Sequence, residues 1–279
     1  MKKAGSILKV LFPNMLHVTC LGHSLHRISE HVLCLFPEVD KLIASVKQIF
    51  SKSPSRREIF NEMTPETPKI PKPVITRWGT WINAALYYAK YYDEVKAVVE
   101  SLDEDEAASI EIAQSIFQKD SVKHDLTFIA AHIRGLPESI TKLETRNLPL
   151  TESLEIFNLA VTEIASIPGT QGRSLRNKFK KIVEKNSDLP KLQKIAKILS
   201  GSREEFSLDY TPEQLISFMY APVTSTEVER SFSIYKNLLL IKISSVYCLD
   251  RNILHNDCNV ASLRSVFWHV LVNDLLVVF

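Results

Sequence analysis

Glycine is scarce in this chain, at seven of 279 residues, and cysteine scarcer still at four. Few glycines leave little material for tight turns between short strands. With many alanine, glutamate, lysine, leucine and isoleucine residues, that scarcity favours helices. The four cysteines (Cys20, Cys34, Cys248 and Cys258) are too sparse for a disulfide framework. No secretory signal is recognisable ahead of them, so an intracellular, reducing setting is expected. Lys2-Lys3 is followed by an apolar run that Lys9 and Pro13 interrupt, too short for a secretory core or a membrane span. Charge of one sign is also lacking. A formal net charge of +2 excludes a chain that binds polyanions over its whole surface. Met1 to Cys20 contains no aspartate or glutamate at all.

What is present is apolar bulk and local charge. A hydrophobic content of 45% can bury a sizeable core, as one large or two modest domains. Glu94–Glu111 is acidic, centred on Asp103-Glu104-Asp105-Glu106. Arg173–Lys197 is basic: Arg173, Arg176, Lys178, Lys180, Lys181, Lys185, Lys191, Lys194 and Lys197 stand against Glu184 and Asp188.

Along the chain, Met15–Cys20 is short, apolar and partly β-branched and reads as one strand, leading into a helix over Gly22–Leu35. Glu38–Phe50 reads as a second helix, with Val39, Leu42, Ile43, Val46 and Ile49-Phe50 on one face. Residues 51–76 read as a proline-rich linker, extended because Pro54, Pro65, Pro68, Pro71 and Pro73 oppose helix. Its Pro-x-x-Pro spacings suit either a groove-binding partner or a plain spacer. A long helix is expected from Trp78 to Leu102, on the period of Trp81, Ala85, Tyr88, Tyr92, Val95 and Val99. Further helices are expected at Asp105–Gln118, Leu126–Ile133 (Pro137 closing that region), Thr151–Ser166, Arg173–Lys185, Leu189–Leu199 and Thr211–Phe218. Residues 241–279 hold no proline or glycine and end in a run that His269, Asn273 and Asp274 interrupt, which reads as a poorly specified apolar tail and not a membrane anchor.

Ala221–Leu239 is the densest segment. Pro222 breaks what precedes it, and Thr224-Ser225-Thr226-Glu227 offers a capping box with Thr224 as N-cap. Val228, Phe232, Tyr235 and Leu239 follow at helical spacing, with Glu229 and Arg230 beside that face.

Three motifs, in order, resemble hAT-family DNA transposases: Cys20-Leu21-Gly22-His23; Thr76-Arg77-Trp78-Gly79-Thr80-Trp81 with the tyrosine-rich stretch after it; and Ser225, Glu229, Arg230, Phe232 and Ser233 in S-x-x-x-E-R-x-F-S. The resemblance implies an RNase H-like core interrupted by a large helical insertion, working by two-metal strand transfer on DNA. The expected fold is therefore mainly α: an incomplete RNase H-like α/β core remnant with an all-helical insertion domain. Residues 1–50 would supply the end of the first core segment, 77–218 the insertion, and 219–240 a returning core helix with a truncated dimerisation signature.

The same resemblance makes Glu229 the third, vestigial catalytic carboxylate. The two aspartates it implies upstream have no counterpart before Cys20, so the ancestral Mg²⁺/Mn²⁺ site is incomplete and neither enzyme activity nor a cofactor is expected. It further implies nuclear location, self-association or association with related chains, and DNA as a partner, with no membrane and no small-molecule substrate. An active transposase present here as a fragment, and a helical interaction scaffold without a nucleic-acid role, are the rival readings.

Single residues carry alternatives. Cys20, His23, His26, His31 and Cys34 can be read as a zinc-ligand cluster or as packing; packing is the expectation, with no metal. Trp78 is either a stacking surface for an unpaired base or a packing anchor. Arg77 either contacts phosphate or pairs with a carboxylate. Lys178, Lys180 and Lys181 either face a DNA backbone or are a solvated helix face. Cys20, His23, Arg230 and Phe232 are expected to be structural.

Overall fold

A computed structural model describes residues 7, 9–12, 14–74, 78–202, 210–226 and 276–278, without the side chains of 78 and 276–278. Arg77, Glu229, Arg230, Phe232, Glu227 and the tail up to residue 275 lie outside the described residues, as does the side chain of Trp78. The described chain is mainly α-helical, with two compact units. One gathers Leu25–Thr141 and Asn158–Lys181; the other gathers Met1–Ser24, Lys142–Phe157 and Ile182–Phe279. Residues 25–50 thus group with the helices after 77, and 182–218 group with the chain's start. The physical reason is that contacts, and not proline content, decide which helices share a core.

In the wholly helical unit, α1 (Leu21–Leu35) contributes Leu25, Ile28 and Val32 on one buried stripe. Pro37 opens α2 (Pro37–Lys52), with Glu38 and Asp40 in the first turn and Lys52 in the last, the polarity that suits the helix dipole. Val39, Leu42, Ile43, Val46, Ile49 and Phe50 are all buried on α2, the expected face. The 51–76 segment departs from its expected extended form. Pro54 sits at N1 of α3 (Pro54–Met63), and the Ser53 side chain accepts the Arg56 N–H at 3.4 Å. A proline there forfeits only an amide that has no helical partner anyway. Thr64 ends the helix, bonding back to Phe60 O through its N–H at 3.0 Å and its hydroxyl at 2.6 Å. The rest of the segment is irregular and pinned, with Tyr87 Oη donating to Pro68 O and Lys47 Nζ to Pro73 O.

The expected long helix is two, α4 (Trp78–Lys90) and α5 (Tyr92–Glu100), bent at Tyr91 (φ −115°, ψ 34°). Tyr91 N–H still reaches Tyr87 O, and Val95 N–H reaches Tyr91 O, so Tyr91 closes one helix and opens the next. Tyr92 Oη donates to Phe117 O at 3.2 Å, and Trp81 Nε1 donates to Asp40 Oδ1 at 2.9 Å. A short 3₁₀ turn, Glu104–Glu106, precedes α6 (Ala108–Phe117), and α7 (Asp120–His132) follows it. α6 packs on α2 and α5, and α7 packs on α4. Pro137 lies in the first turn of α8 (Leu136–Leu143) and so opens a helix where it was expected to close a region. α9 (Leu150–Ser166) and α10 (Gly169–Val183) are joined by a tight turn. There a Cβ on Gly172 would come within 2.0 Å of Ile167 O, and Arg176 donates to Ile167 O and Ala165 O, closing the α9 carbonyls.

In the other unit, β1 (Leu16–Val18) pairs antiparallel with β2 (Leu276–Val278), Leu16 opposite Val278 and Val18 opposite Leu276. α11 (Leu189–Leu199) lies against β1 and against α12 (Pro212–Ser217). Thr211 and Gln214 form a full capping box on α12, with Pro212 at N1.

The Tyr88 hydroxyl is fully buried without a hydrogen-bond partner among the described residues. Such a hydroxyl loses its hydration and regains nothing. Tyr88→Phe is therefore expected to raise stability by about 1 kcal/mol in urea denaturation; a loss of that size would mean the hydroxyl is satisfied.

Candidate functional site: the Cys20 junction and the basic helix

Two of the three motifs meet in space. Leu21 N–H donates to Val223 O at 2.9 Å, joining the start of α1 to the segment that precedes Glu229 by six residues. Cys20 acts as the N-cap of α1: its Sγ accepts the His23 N–H at 3.4 Å and also the Ser225 N–H at 3.3 Å. His23 Nδ1 lies 3.3 Å from Ser225 Oγ, a bond whose direction depends on the ring tautomer. Gly22 lets Thr224 come close, since an added Cβ would meet Thr224 Cγ2 at 3.4 Å. Burial pushes the Cys20 thiol up, but the His23 hydrogen bond and charge, with Ser225, outweigh it and hold the thiol below its ordinary value. Cys20 is 3% exposed and Ser225 2%, so this polarised sulfur acts as a brace between two segments and not as a nucleophile open to solvent.

A second arrangement secures β1, and nothing in the sequence pattern pointed to it. His17 N–H donates to Asp188 Oδ2 at 2.8 Å, and Thr19 N–H donates to Asn186 Oδ1 at 3.0 Å. Asn186 Nδ2 returns a bond to Thr19 O at 3.4 Å. Residues 17 and 19 of an extended chain point their backbone groups the same way, so two side chains take the place of a neighbouring strand. Lys9 pairs with the same Asp188 oxygen. Burial raises the Asp188 carboxyl, yet the Lys9 and His17 hydrogen bonds, with the charges of Lys9 and Lys191, leave it below the usual carboxylate range.

The remaining candidates separate. His31 Nε2 lies 2.9 Å from Ser174 Oγ on α10, while Cys34 is exposed, so His31 and Cys34 make no common cluster with Cys20. Among the described residues no group of three or more His, Cys, Asp or Glu is placed to hold a metal ion. On α10, Arg173, Lys180 and Lys181 are exposed and Lys178 is half-buried, whereas Arg176 is committed to the α9 carbonyls. Trp81, one turn after Trp78, is the anchor of its motif through Asp40. Sequence reading passed over Asn186, Asp188 and Asp40 because a polar residue announces neither its burial nor a partner far along the chain.

No protein-family model, no curated protein and no solved structure matches the chain. Among the described residues no helix is long and apolar enough to cross a membrane.

Because the folded-state pKa of Asp188 is depressed, its contribution is present above the unfolded value near pH 4 and is lost as pH falls through the folded value. Asp188→Asn is expected to cost roughly 1–3 kcal/mol at neutral pH and to flatten the acid limb of the stability profile below about pH 4. Chemical denaturation across pH checks both; an unchanged acid limb would remove Asp188 from this role.

Proposed function

We propose that the chain is a catalytically incompetent relative of hAT transposases whose remaining activities are self-association and contact with the DNA backbone, in the nucleus. The observation that carries this reading is the junction at Cys20. Two family-like motifs about two hundred residues apart in sequence are joined by the Leu21–Val223 and Cys20–Ser225 hydrogen bonds. The resemblance implies a Cys-x-x-His that braces the core next to the active site, and the Cys20–Ser225 bond supports that reading. An intervening unit whose described secondary-structure elements are all helices supports the same reading.

Within these 279 residues the first acidic side chain is Glu30, so no carboxylate precedes the Cys20 motif to join Glu229. Two metal ions shared between an attacking and a leaving oxygen need several carboxylates to hold them. The proposed reading therefore assigns the chain binding in place of strand transfer. The exposed Arg173, Lys180 and Lys181 of α10, with Lys178, supply a cationic helix face for phosphates.

Purified chain with Mg²⁺ or Mn²⁺ is expected to leave duplex and single-stranded DNA uncut. Metal-dependent cleavage that disappears in Glu229→Gln would overturn the reading. Sedimentation equilibrium is expected to show concentration-dependent association; a strict monomer would remove the self-association half.

A further inference from the structure

His31 occupies the margin of the cationic face, where α1 meets α10. Its Nε2 lies 2.9 Å from Ser174 Oγ, and the ring is partly open to solvent. Lys178 follows Ser174 by one helical turn, and Lys181 follows Lys178 by three residues, so both share the Ser174 side of α10. On α1, Arg27 is exposed one turn before His31, and Glu30 is the acid beside it. The charged groups bearing on the ring are Lys178 from α10 and Glu30 from its own helix.

We propose that the seam of α1 and α10, centred on His31, Ser174 and Lys178, seats a phosphate of the nucleic-acid backbone and that His31 takes up a proton as the phosphate binds. This rests on the DNA-contact reading given above. The neutral ring shares one hydrogen with Ser174 Oγ. Once protonated, Nε2–H donates to Ser174 Oγ, which frees the serine hydroxyl hydrogen to turn towards a phosphate oxygen. The proton comes from solvent and no covalent bond changes. In the free protein, burial and then Lys178 hold the ring below its ordinary value, with Glu30 opposing them, so His31 is neutral at neutral pH. A phosphate placed against it favours the charged form, and by linkage phosphate affinity rises as pH falls through the ring's titration.

The test is binding of a labelled short duplex to the full chain over a series of salt concentrations, at about pH 7.5 and about pH 5.5. In the wild type the slope of log K against log salt is expected to steepen by about 0.9 at the lower pH, one more phosphate contact, with a threefold to roughly tenfold gain in affinity at fixed salt. In His31→Gln, which keeps a neutral partner for Ser174, the steepening is expected to vanish while binding at the higher pH persists. Equal steepening in both proteins, or none in the wild type, overturns the inference and leaves the DNA reading standing. No binding at either pH overturns both. Should His31→Gln lose its helical circular dichroism, the His31 ring titration followed by NMR in the wild type decides instead. It is expected to move up on saturation with duplex, and an unmoved titration overturns the proposal.

Discussion

The bonding of backbone groups along β1 is the constraint that organises the described part of the unit containing it. A backbone amide left without a partner away from water costs about as much as a lost hydrogen bond, and the part-buried amides of His17, in β1, and Thr19, just after it, each need an acceptor. The loop between α10 and α11 answers with the carboxylate of Asp188 and the amide of Asn186. That choice has consequences in both directions. It fixes α11 against β1, and it requires a cation for the buried carboxylate, which Lys9 supplies. Thr19 held in this way delivers Cys20 to the first turn of α1, where its sulfur gathers the His23 and Ser225 amides.

Regular helices were legible in the sequence wherever one face was apolar. The buried face of α2 contains every expected periodic position, with Ser45 added, and α9, α11 and α12 begin or end within about a residue of expectation, within the usual uncertainty of helix ends. The misreadings have a common cause. Pro54 and Pro137 were weighed as helix breakers, but both occupy first-turn positions, where a missing N–H forfeits little. The bend at Tyr91 interrupts an unbroken apolar period and therefore left no mark in it. Side-chain replacements for backbone partners, such as Asn186 and Asp188 on β1 or Arg176 on α9, depend on residues brought together by folding and have no local signature.

The candidate site was legible in outline only. Cys20 and His23 were expected to brace the chain, and their bonds to Ser225 and to the α1 amide show how, through one polarised sulfur in a dry setting. Four of the five Cys/His candidates divide by environment: Cys20 and His23 are engaged with Ser225, His31 with Ser174, and Cys34 is exposed. The basic run divides as well. Arg176 serves a helix end and Lys191 lies near Asp188, while Arg173, Lys180 and Lys181 are exposed on α10 and Lys178 is half-buried there. The described chain holds a cationic helix face in one unit and a braced junction in the other.

Everything claimed about descent passes through the contact between Cys20 and Ser225, and a cross-link tests it most directly. A Ser225→Cys variant, oxidised mildly in its folded state and digested without reduction, is predicted to yield a disulfide joining the peptides that contain residues 20 and 225, since two such positions fall within bonding reach. Recovery of both peptides unlinked, from a variant that retains its helical content, would contradict the junction and with it the proposed relationship.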